Sequence, residues 1–484
     1  MKRASFVILP LLLGAFGCSS SQVVSHPTSP GSVAGSSSST SDAAVATSSG
    51  RPDGPQQNGP WIGAAVASDA LSVGRQDTFV AVWVDVPKAA QAVHAPADVA
   101  LVIDTSGSMA GEKIANARKA AQKLVDGLAD GDVVSIHTFS DSAVERVAPV
   151  KLDRSARARI SSVISELSPD GGTNLFEGVR MAGLAAMSAP STHAVRRVVL
   201  ISDGLATVGT TSREMLGVLG ERAADHGVQI TSIGVGLDYD EQTLNALALR
   251  SSGRLFHLER PDQLASIMSE EMSLLQATRA TNALVEIVPA PGVELVTAEG
   301  ARSTMDNGAI KVPLGAMFAG QHKEFLVRAR VNLGGEGTQP IASVRLLFQD
   351  PAEGNLQRVQ EAVARVDAVT DPAVAARRTN SKAQGVLAMI EASKATERAV
   401  AQIGNDDFAT ADRELAEAEQ KLVAQAAAAS TAADKQRFQS SARRVADARA
   451  GAGKAMAAPM AARPAAKRAI QLDANEASMN MMGF

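Results

Sequence analysis

Asp104-Thr105-Ser106-Gly107-Ser108 follows directly on the apolar run Val99-Ala-Leu-Val-Ile103. An apolar run closed by such a turn predicts a buried strand that delivers one carboxylate and two hydroxyls into a single loop. Ser106 and Ser108 lie two apart, so both hydroxyls can leave the loop in one direction. Gly107 between them relaxes the backbone. Further along, Thr173 stands in Gly171-Gly-Thr-Asn174, and Asp203 closes the run Val198-Val-Leu-Ile-Ser-Asp203. Small, hard oxygen donors of low total charge suit Mg²⁺, which usually keeps waters and accepts a carboxylate from outside. Asp104, Ser106, Ser108, Thr173 and Asp203 are therefore candidate metal ligands, with Mn²⁺ or Ca²⁺ as other occupants of an oxygen site. Asp104 and Asp203, acting largely through bound water, would leave net positive charge on the ion.

Outward from this turn, strand and helix alternate. A helix is predicted from about Gly111 to Leu128, with Ile114, Ala117, Ala121, Leu124 and Val125 on one face. Strands are predicted at Val133–Phe139, Ala143–Val150, Arg197–Ser202 and Val228–Val235. Helices are predicted at Arg154–Leu167, Leu175–Met187, Glu241–Arg250 and Pro261–Leu275, and one more opens at the capping-box pattern Thr211-Ser-Arg-Glu214. Residues 96–275 thus read as an α/β domain, a doubly wound and mostly parallel sheet covered on both faces. In that architecture sites form at the carboxyl ends of strands, where Asp104 and Asp203 fall.

Residues 276–370 return to a period of two, with runs such as Glu324–Leu333 and Ile341–Phe348 between Pro, Gly and Asn turns. They predict an accessory antiparallel β domain. Residues 60–95, chiefly Thr78–Val86, are expected to add strands to it, so that the α/β domain is inserted between. Residues 372–450 are rich in Ala, Glu, Lys and Arg and predict two or three antiparallel helices. The segment 451–484, rich in Ala, Met and Pro, reads as a disordered tail.

The 484 residues carry a formal charge of −4 and only 3% aromatics, with Tyr239, Trp61 and Trp83 as the single Tyr and two Trp. Neither charge nor stacking surface favours a nucleic-acid partner. The one cysteine, Cys18, excludes an internal disulfide and thiolate metal sites. It follows Lys2-Arg3 and the apolar run Phe6–Gly17, which is too short for a permanent span. Residues 19–59, rich in Ser, Gly, Pro and Thr, read as a disordered tether.

The segment 1–18 resembles a bacterial lipoprotein signal, with Ala15 where Leu is usual. That resemblance implies lipidation at Cys18, a lipid anchor as the only membrane contact, and a place in the bacterial envelope. Ser19 after the cysteine implies the outer membrane. Ordinary secretion cleavage and an uncleaved anchor are the alternatives. Asp104-Thr-Ser-Gly-Ser108, Gly172-Thr173-Asn and Ser202-Asp203-Gly together resemble the metal-ion-dependent adhesion site of von Willebrand factor type A domains. The resemblance covers roughly Pro96 to Leu275. It implies direct ligation by Ser106, Ser108 and Thr173, ligation direct or through water by Asp104 and Asp203, and metal-dependent binding of a protein that supplies an Asp or Glu carboxylate. The flanking β-rich segments look like bacterial proteins similar to inter-alpha-trypsin-inhibitor heavy chains.

Other candidates are weaker. His137 lies within a predicted strand and reads as packed, while His257 and His322 have no second ligand at helical or hairpin spacing. No Gly-x-Ser-x-Gly elbow, phosphate loop or His-Glu-x-x-His is present, so no enzyme and no small-molecule substrate is expected. A metal-using enzyme would need a base, for which Asp141 and Asp238 are the candidates. The expected function is a metal-dependent adhesion or assembly lipoprotein. The alternative is a scaffold whose C-terminal helices make the main contact and whose metal only stabilises.

Overall fold

The computed structural model describes residues 59–88, 94–203, 205–236, 239–258 and 264–460, with scattered positions from 462 to 481. The expected signal segment, Cys18 and nearly all of the tether lie outside the described residues, as does Asp238.

Three strands come first, β1 (Ile62–Val66), β2 (Ala70–Ser72) and β3 (Gly74–Asp85). An α/β layer follows, opening with β4 (Ala97–Asp104), α1 (Glu112–Gly127), β5 (Val133–Phe139), β6 (Ala143–Lys151) and α2 (Arg154–Glu166). It continues with α3 (Leu175–Met187), β7 (Val195–Ser202), α4 (Arg213–Asp225) and β8 (Val228–Val235). It ends with α5 (Glu241–Arg250), β9 (Leu255–Leu258) and α6 (Leu264–Gln276). The six strands are ordered β6-β5-β4-β7-β8-β9, all parallel except β6, which runs antiparallel to β5.

All of β4 is buried because both faces of the sheet are covered. Val99, Leu101 and Ile103 pack in one cluster with residues of α1, α2 and α6, while Ala100 and Val102 pack with α3, α4 and α5. Full burial of each large aliphatic side chain contributes about 1.5–3 kcal/mol. Strand β6 is a largely exposed edge, and Pro149 within it discourages pairing with another chain. Side-chain caps start α2 (Asp153), α3 (Asn174), α4 (Ser212) and α5 (Asp240). The cap of α4 is thus Ser212, one residue later than the capping-box pattern placed it.

Strands β10 (Thr278–Pro289), β11 (Val293–Glu299), β12 (Thr304–Asp306) and β13 (Ala309–Phe318) follow, then β14 (His322–Leu333), β15 (Gly337–Asp350) and β16 (Leu356–Val369). They form two sheets, ordered β1-β3-β14-β11 and β12-β13-β10-β15-β16-β2. Pairing is antiparallel apart from β2 with β16. The strands before the α/β layer therefore complete both sheets, and one continuous core lies between them.

This sandwich meets the α/β layer at the amino ends of its parallel strands. Gln229, second residue of β8, donates to the Ala316 carbonyl at 3.2 Å, and the Arg197 guanidinium lies 5.6 Å from the centre of the Phe318 ring. Arg197 also pairs with Glu271 of α6 at 3.8 Å, both fully buried, and Thr231 donates to the same carboxylate at 2.9 Å.

Helices α7 (Pro372–Arg377), α8 (Ser381–Gly404), α9 (Phe408–Ala428) and α10 (Ala432–Ala457) end the chain order. Ala383, Val386 and Ile390 of α8 cover Phe79, Ala81 and Leu326 on the outer face of the β3–β14 pair. The expectation of disorder from residue 451 is overturned. Helix α10 continues to Ala457, and Ile470, Ala474, Ala477 and Met481 are buried in the helical core, with Ser478 hydrogen-bonded to Ser393 at 2.6 Å. Alanine offers little apolar surface per residue yet lets helices approach closely, so composition alone understates their packing. No helix among the described residues is long and apolar enough to cross a membrane.

Candidate metal centre

Strand β4 pairs with β5 on one side and β7 on the other, so successive connections leave its carboxyl end in opposite directions. A crevice opens at such a switch point. Asp104 and Asp203 stand there, at and just beyond the ends of adjacent strands, with Ile103 level with Ile201.

The Asp104 carboxylate is buried. Its Oδ1 accepts from the Ser106 amide at 2.8 Å and its Oδ2 from the Ser202 hydroxyl at 2.6 Å. Burial pushes this carboxyl above its ordinary pKa, and the nearby Asp203 adds to the effect. The Ser106 and Ser202 hydrogen bonds oppose it. The hydroxyls of Ser106 and Ser108 lie 3.0 Å apart, as their spacing predicts, and Ser108 donates to Asp203 Oδ1 at 2.8 Å. Asp203 Oδ2 is ion-paired with Lys113, from the first turn of α1.

Thr173 is buried and is placed by its backbone. Its amide donates to the Thr207 hydroxyl at 2.9 Å, and its carbonyl accepts from the amides of Thr207 and Val208 at 3.0 and 3.2 Å. Two further bonds staple its loop to the Asp104–Ser108 turn: Gly107 N to Gly171 O at 3.0 Å, and Asp170 N to Thr105 O at 2.8 Å. The two glycines before Thr173 are needed for separate reasons. Gly171 has φ +74°, and a Cβ there would lie 2.5 Å from Asp141 Oδ2, while a Cβ on Gly172 would lie 2.6 Å from Val208. Gly107 is different from expectation. It does not take a left-handed φ, and what it permits is the close approach of the Gly171 carbonyl, 3.4 Å from where a Cβ would stand.

The structure thus joins Asp104, Ser106, Ser108 and Asp203 through hydrogen bonds within the turn and across β4–β7, and brings the Thr173 loop against them. Two carboxylates and three hydroxyls form an all-oxygen donor set, which fits a hard divalent ion and offers nothing to a soft one. Among the described residues, no group of three or more His, Cys, Asp or Glu side chains is placed to hold a metal. Asp141 accepts from the Gly172 amide at 2.8 Å, so it braces the Thr173 loop. His137 is buried with Nε2 3.0 Å from Ser135 Oγ, and burial pushes its pKa down to about 4. His322 is not isolated: its ring bridges Asp85 and Glu324, and Arg437 of α10 donates to Glu324 at 2.6 Å. These partners come from β3, β14 and α10, beyond the reach of local spacing. Lys113 and Ser202 are the residues at the centre that ligand chemistry alone did not single out. Ser202 sits beside Asp203, but only the register of β4 with β7 shows it facing Asp104.

Residues 98–270 match the von Willebrand factor type A domain family. This segment is a von Willebrand factor type A domain. An uncharacterized protein of Synechocystis is 28% identical over 269 residues, covering 54% of this chain and 63% of its own length. Inter-alpha-trypsin inhibitor heavy chain H4 of Sus scrofa is 31% identical over 163 residues, 33% of this chain and 18% of the heavy chain. The chain therefore spans less than two thirds of either relative. Among solved structures, a von Willebrand factor type A protein from Catenulispora acidiphila superposes with TM-score 0.63 at 18% identity, covering 81% of this chain and 90% of that one. The ArnB paralog VWA2 from Sulfolobus acidocaldarius gives 0.57 at 16%, covering 87% and 97%. Both share the fold well beyond the von Willebrand factor type A domain itself.

Proposed function

We propose that this protein binds a protein partner through a divalent ion, Mg²⁺ in the first instance, held by Ser106, Ser108 and Thr173 with Asp104 and Asp203. The ion supplies an electrophile for a carboxylate, and an Asp or Glu of the partner completes its shell. The observation that carries the reading is the hydrogen-bonded set Asp104–Ser202 and Ser106–Ser108–Asp203, with the Thr173 loop stapled to it, at the switch point of the sheet. Only two of the five donors carry charge, so a divalent ion keeps its attraction for an incoming anion. The family match supports protein binding or adhesion as the role of the domain. The same reading takes the chain as a non-enzymatic lipoprotein of the bacterial envelope, anchored through Cys18.

The test is retention of envelope proteins on the immobilised chain in Mg²⁺ or in EDTA, with Asp104→Ala as control. Retention by the wild type in Mg²⁺ alone is expected. Equal retention under all three conditions would move the contact away from the metal site, towards the sandwich or the helices.

A further inference from the structure

We propose that Lys113 is a tethered competitor for the metal, which sets the affinity of the centre and admits divalent ions while excluding monovalent ones. The inference rests on the metal-binding reading above and concerns a residue outside the ligand set.

Both oxygens of Asp203 are engaged, Oδ1 by the Ser108 hydroxyl and Oδ2 by the Lys113 ammonium. The Asp203 side chain is 0% exposed and that of Lys113 36%, so the lysine reaches inward from the rim and its charge meets the carboxylate away from bulk water. Its stem passes the end of β8, where a Cβ on Gly236 would lie 3.5 Å from Lys113 Cε and 3.8 Å from Nζ. That is ordinary packing distance, so the stem lies alongside residue 236 without being clamped by it. Asp104, by contrast, receives neutral donors only among its hydrogen bonds, the Ser106 amide and the Ser202 hydroxyl. The centre therefore holds two carboxylates and one built-in cation.

An ion that uses Asp203 must share it with the ammonium or displace it. Sharing places like charges side by side at a buried carboxylate, where screening is weak. Displacement is the available route, because the lysine is already part-exposed. Helix α1 is fixed by its buried face, which includes Ile114 and Ala117, so only the four-carbon stem has to swing outward. Na⁺ and K⁺ carry no more charge than the ammonium and lack its tether. The high effective concentration of an attached group therefore keeps them out. A divalent ion gains twice the attraction to Asp104 and Asp203 and can win the exchange. The displaced ammonium then stands at the rim, where a partner carboxylate arrives.

The experiment is a Mn²⁺ titration of the full chain, followed by calorimetry and by the loss of the free-ion electron paramagnetic resonance signal, for wild type, Lys113→Met and Asp104→Ala. Thermal melting is recorded with chelator and with saturating Mn²⁺. Lys113→Met is expected to bind Mn²⁺ about tenfold more tightly or better, since truncating one partner strands a buried carboxylate. It is expected to melt below the wild type in chelator, to match it in saturating Mn²⁺, and to let added NaCl compete with Mn²⁺ more strongly than in wild type. Unchanged or weaker Mn²⁺ affinity in Lys113→Met would overturn the proposal. So would a melting deficit that persists in saturating Mn²⁺, which marks a purely structural lysine. Absence of Mn²⁺ binding in both folded proteins would instead overturn the metal reading itself, and this inference with it.

Discussion

Asp98, second residue of β4, is 1% exposed, and neither of its carboxylate oxygens has a hydrogen-bond partner within the protein. Burial pushes its pKa from 3.8 up to about 7, against the pull of Arg196 on the neighbouring strand. The folded protein therefore binds a proton that the unfolded chain releases at lower pH. Stability falls as pH rises from 3.8 to about 7, and it levels off above that, where both states are ionised. At about 1.4 kcal/mol per pH unit, the full cost of the ionised group is roughly 4 kcal/mol. Asp98→Asn keeps the shape and removes the titration. It should stabilise the sheet by about 1.5 kcal/mol at pH 5, where only the unfolded carboxylate is ionised, and by roughly 4 kcal/mol at pH 8.5. Both Trp residues lie in or beside the sandwich strands, so indole fluorescence reports the wrong layer. Hydrogen exchange of peptides spanning Val99–Ile103, corrected for the intrinsic pH dependence of the rate, reads this sheet directly. Parallel pH profiles for wild type and variant would refute the assignment of a raised pKa, and with it the view that Asp98 is uncompensated.

The helical segment is latched to the sandwich by His322, Asp85, Glu324 and Arg437, with Lys382 nearby. Burial opposes charge on His322, yet the Asp85 and Glu324 carboxylates hold its pKa above 6.5. Burial likewise opposes charge on Glu324, yet Arg437 and His322 hold it at about 2. The raised histidine stabilises below pH 6.5 and loses its contribution as pH rises through its folded value. The lowered glutamate stabilises above pH 4.5 and loses its contribution as pH falls towards 2. Exchange protection of α10 should therefore be greatest in between, and Arg437→Met should cost about 3–5 kcal/mol of it, a flat profile being the contrary result. Gly171→Ala should cost about 1–3 kcal/mol and weaken Mn²⁺ binding, because the left-handed φ and Asp141 both oppose a side chain, whereas Gly335→Ala, with open space around it, should leave Mn²⁺ affinity unchanged. Ile470→Ala should destabilise the helices by about 2–4 kcal/mol in chemical denaturation, and Met460→Ala, at an 83% exposed position, by less than about 0.5 kcal/mol.

What could be read in advance was what short-range chemistry dictates. The apolar run Val99–Ile103, the turn Asp104–Ser108 and the Gly-Gly before Thr173 each express a local constraint: a buried strand, a loop of oxygens, a φ and a space that only glycine fits. Alternating periods separated the α/β layer from the sandwich, and the isolated β-prone run Thr78–Val86 pointed to strands on both sides of an insertion. The partners of Asp203 and His322 were not legible, because Lys113 and Arg437 reach them from other elements through registers and helix positions that no window of sequence contains. The tail after residue 450 misled for another reason. Its Ala, Met and Pro content resembles that of unfolded segments, and only the waiting faces of α8 and α10 make Ile470 and Met481 core residues.

The insertion also fixes which way the centre faces. The chain enters the α/β layer at the start of β4 and leaves it through α6 into β10, where the Ala277 carbonyl accepts from the Ala319 amide at 2.9 Å. Both crossings lie at the amino ends of the parallel strands, beside Gln229–Ala316 and Arg197–Phe318. Two covalent crossings cost less ordering freedom than a single linker would leave to be lost, and the buried Arg197–Glu271 pair, bonded through Thr231, holds the junction. A strand's two ends point in opposite directions, so clamping the amino ends commits the carboxyl ends of β4 and β7 to the far side of the sheet. Asp104, Ser106, Ser108, Thr173 and Asp203 are then presented away from the sandwich. Rigid presentation lowers the entropy lost when a partner docks, so loosening the junction with Glu271→Gln should weaken partner binding while leaving Mn²⁺ affinity unchanged. A parallel loss of both would place the effect in the fold of the domain and not in its presentation.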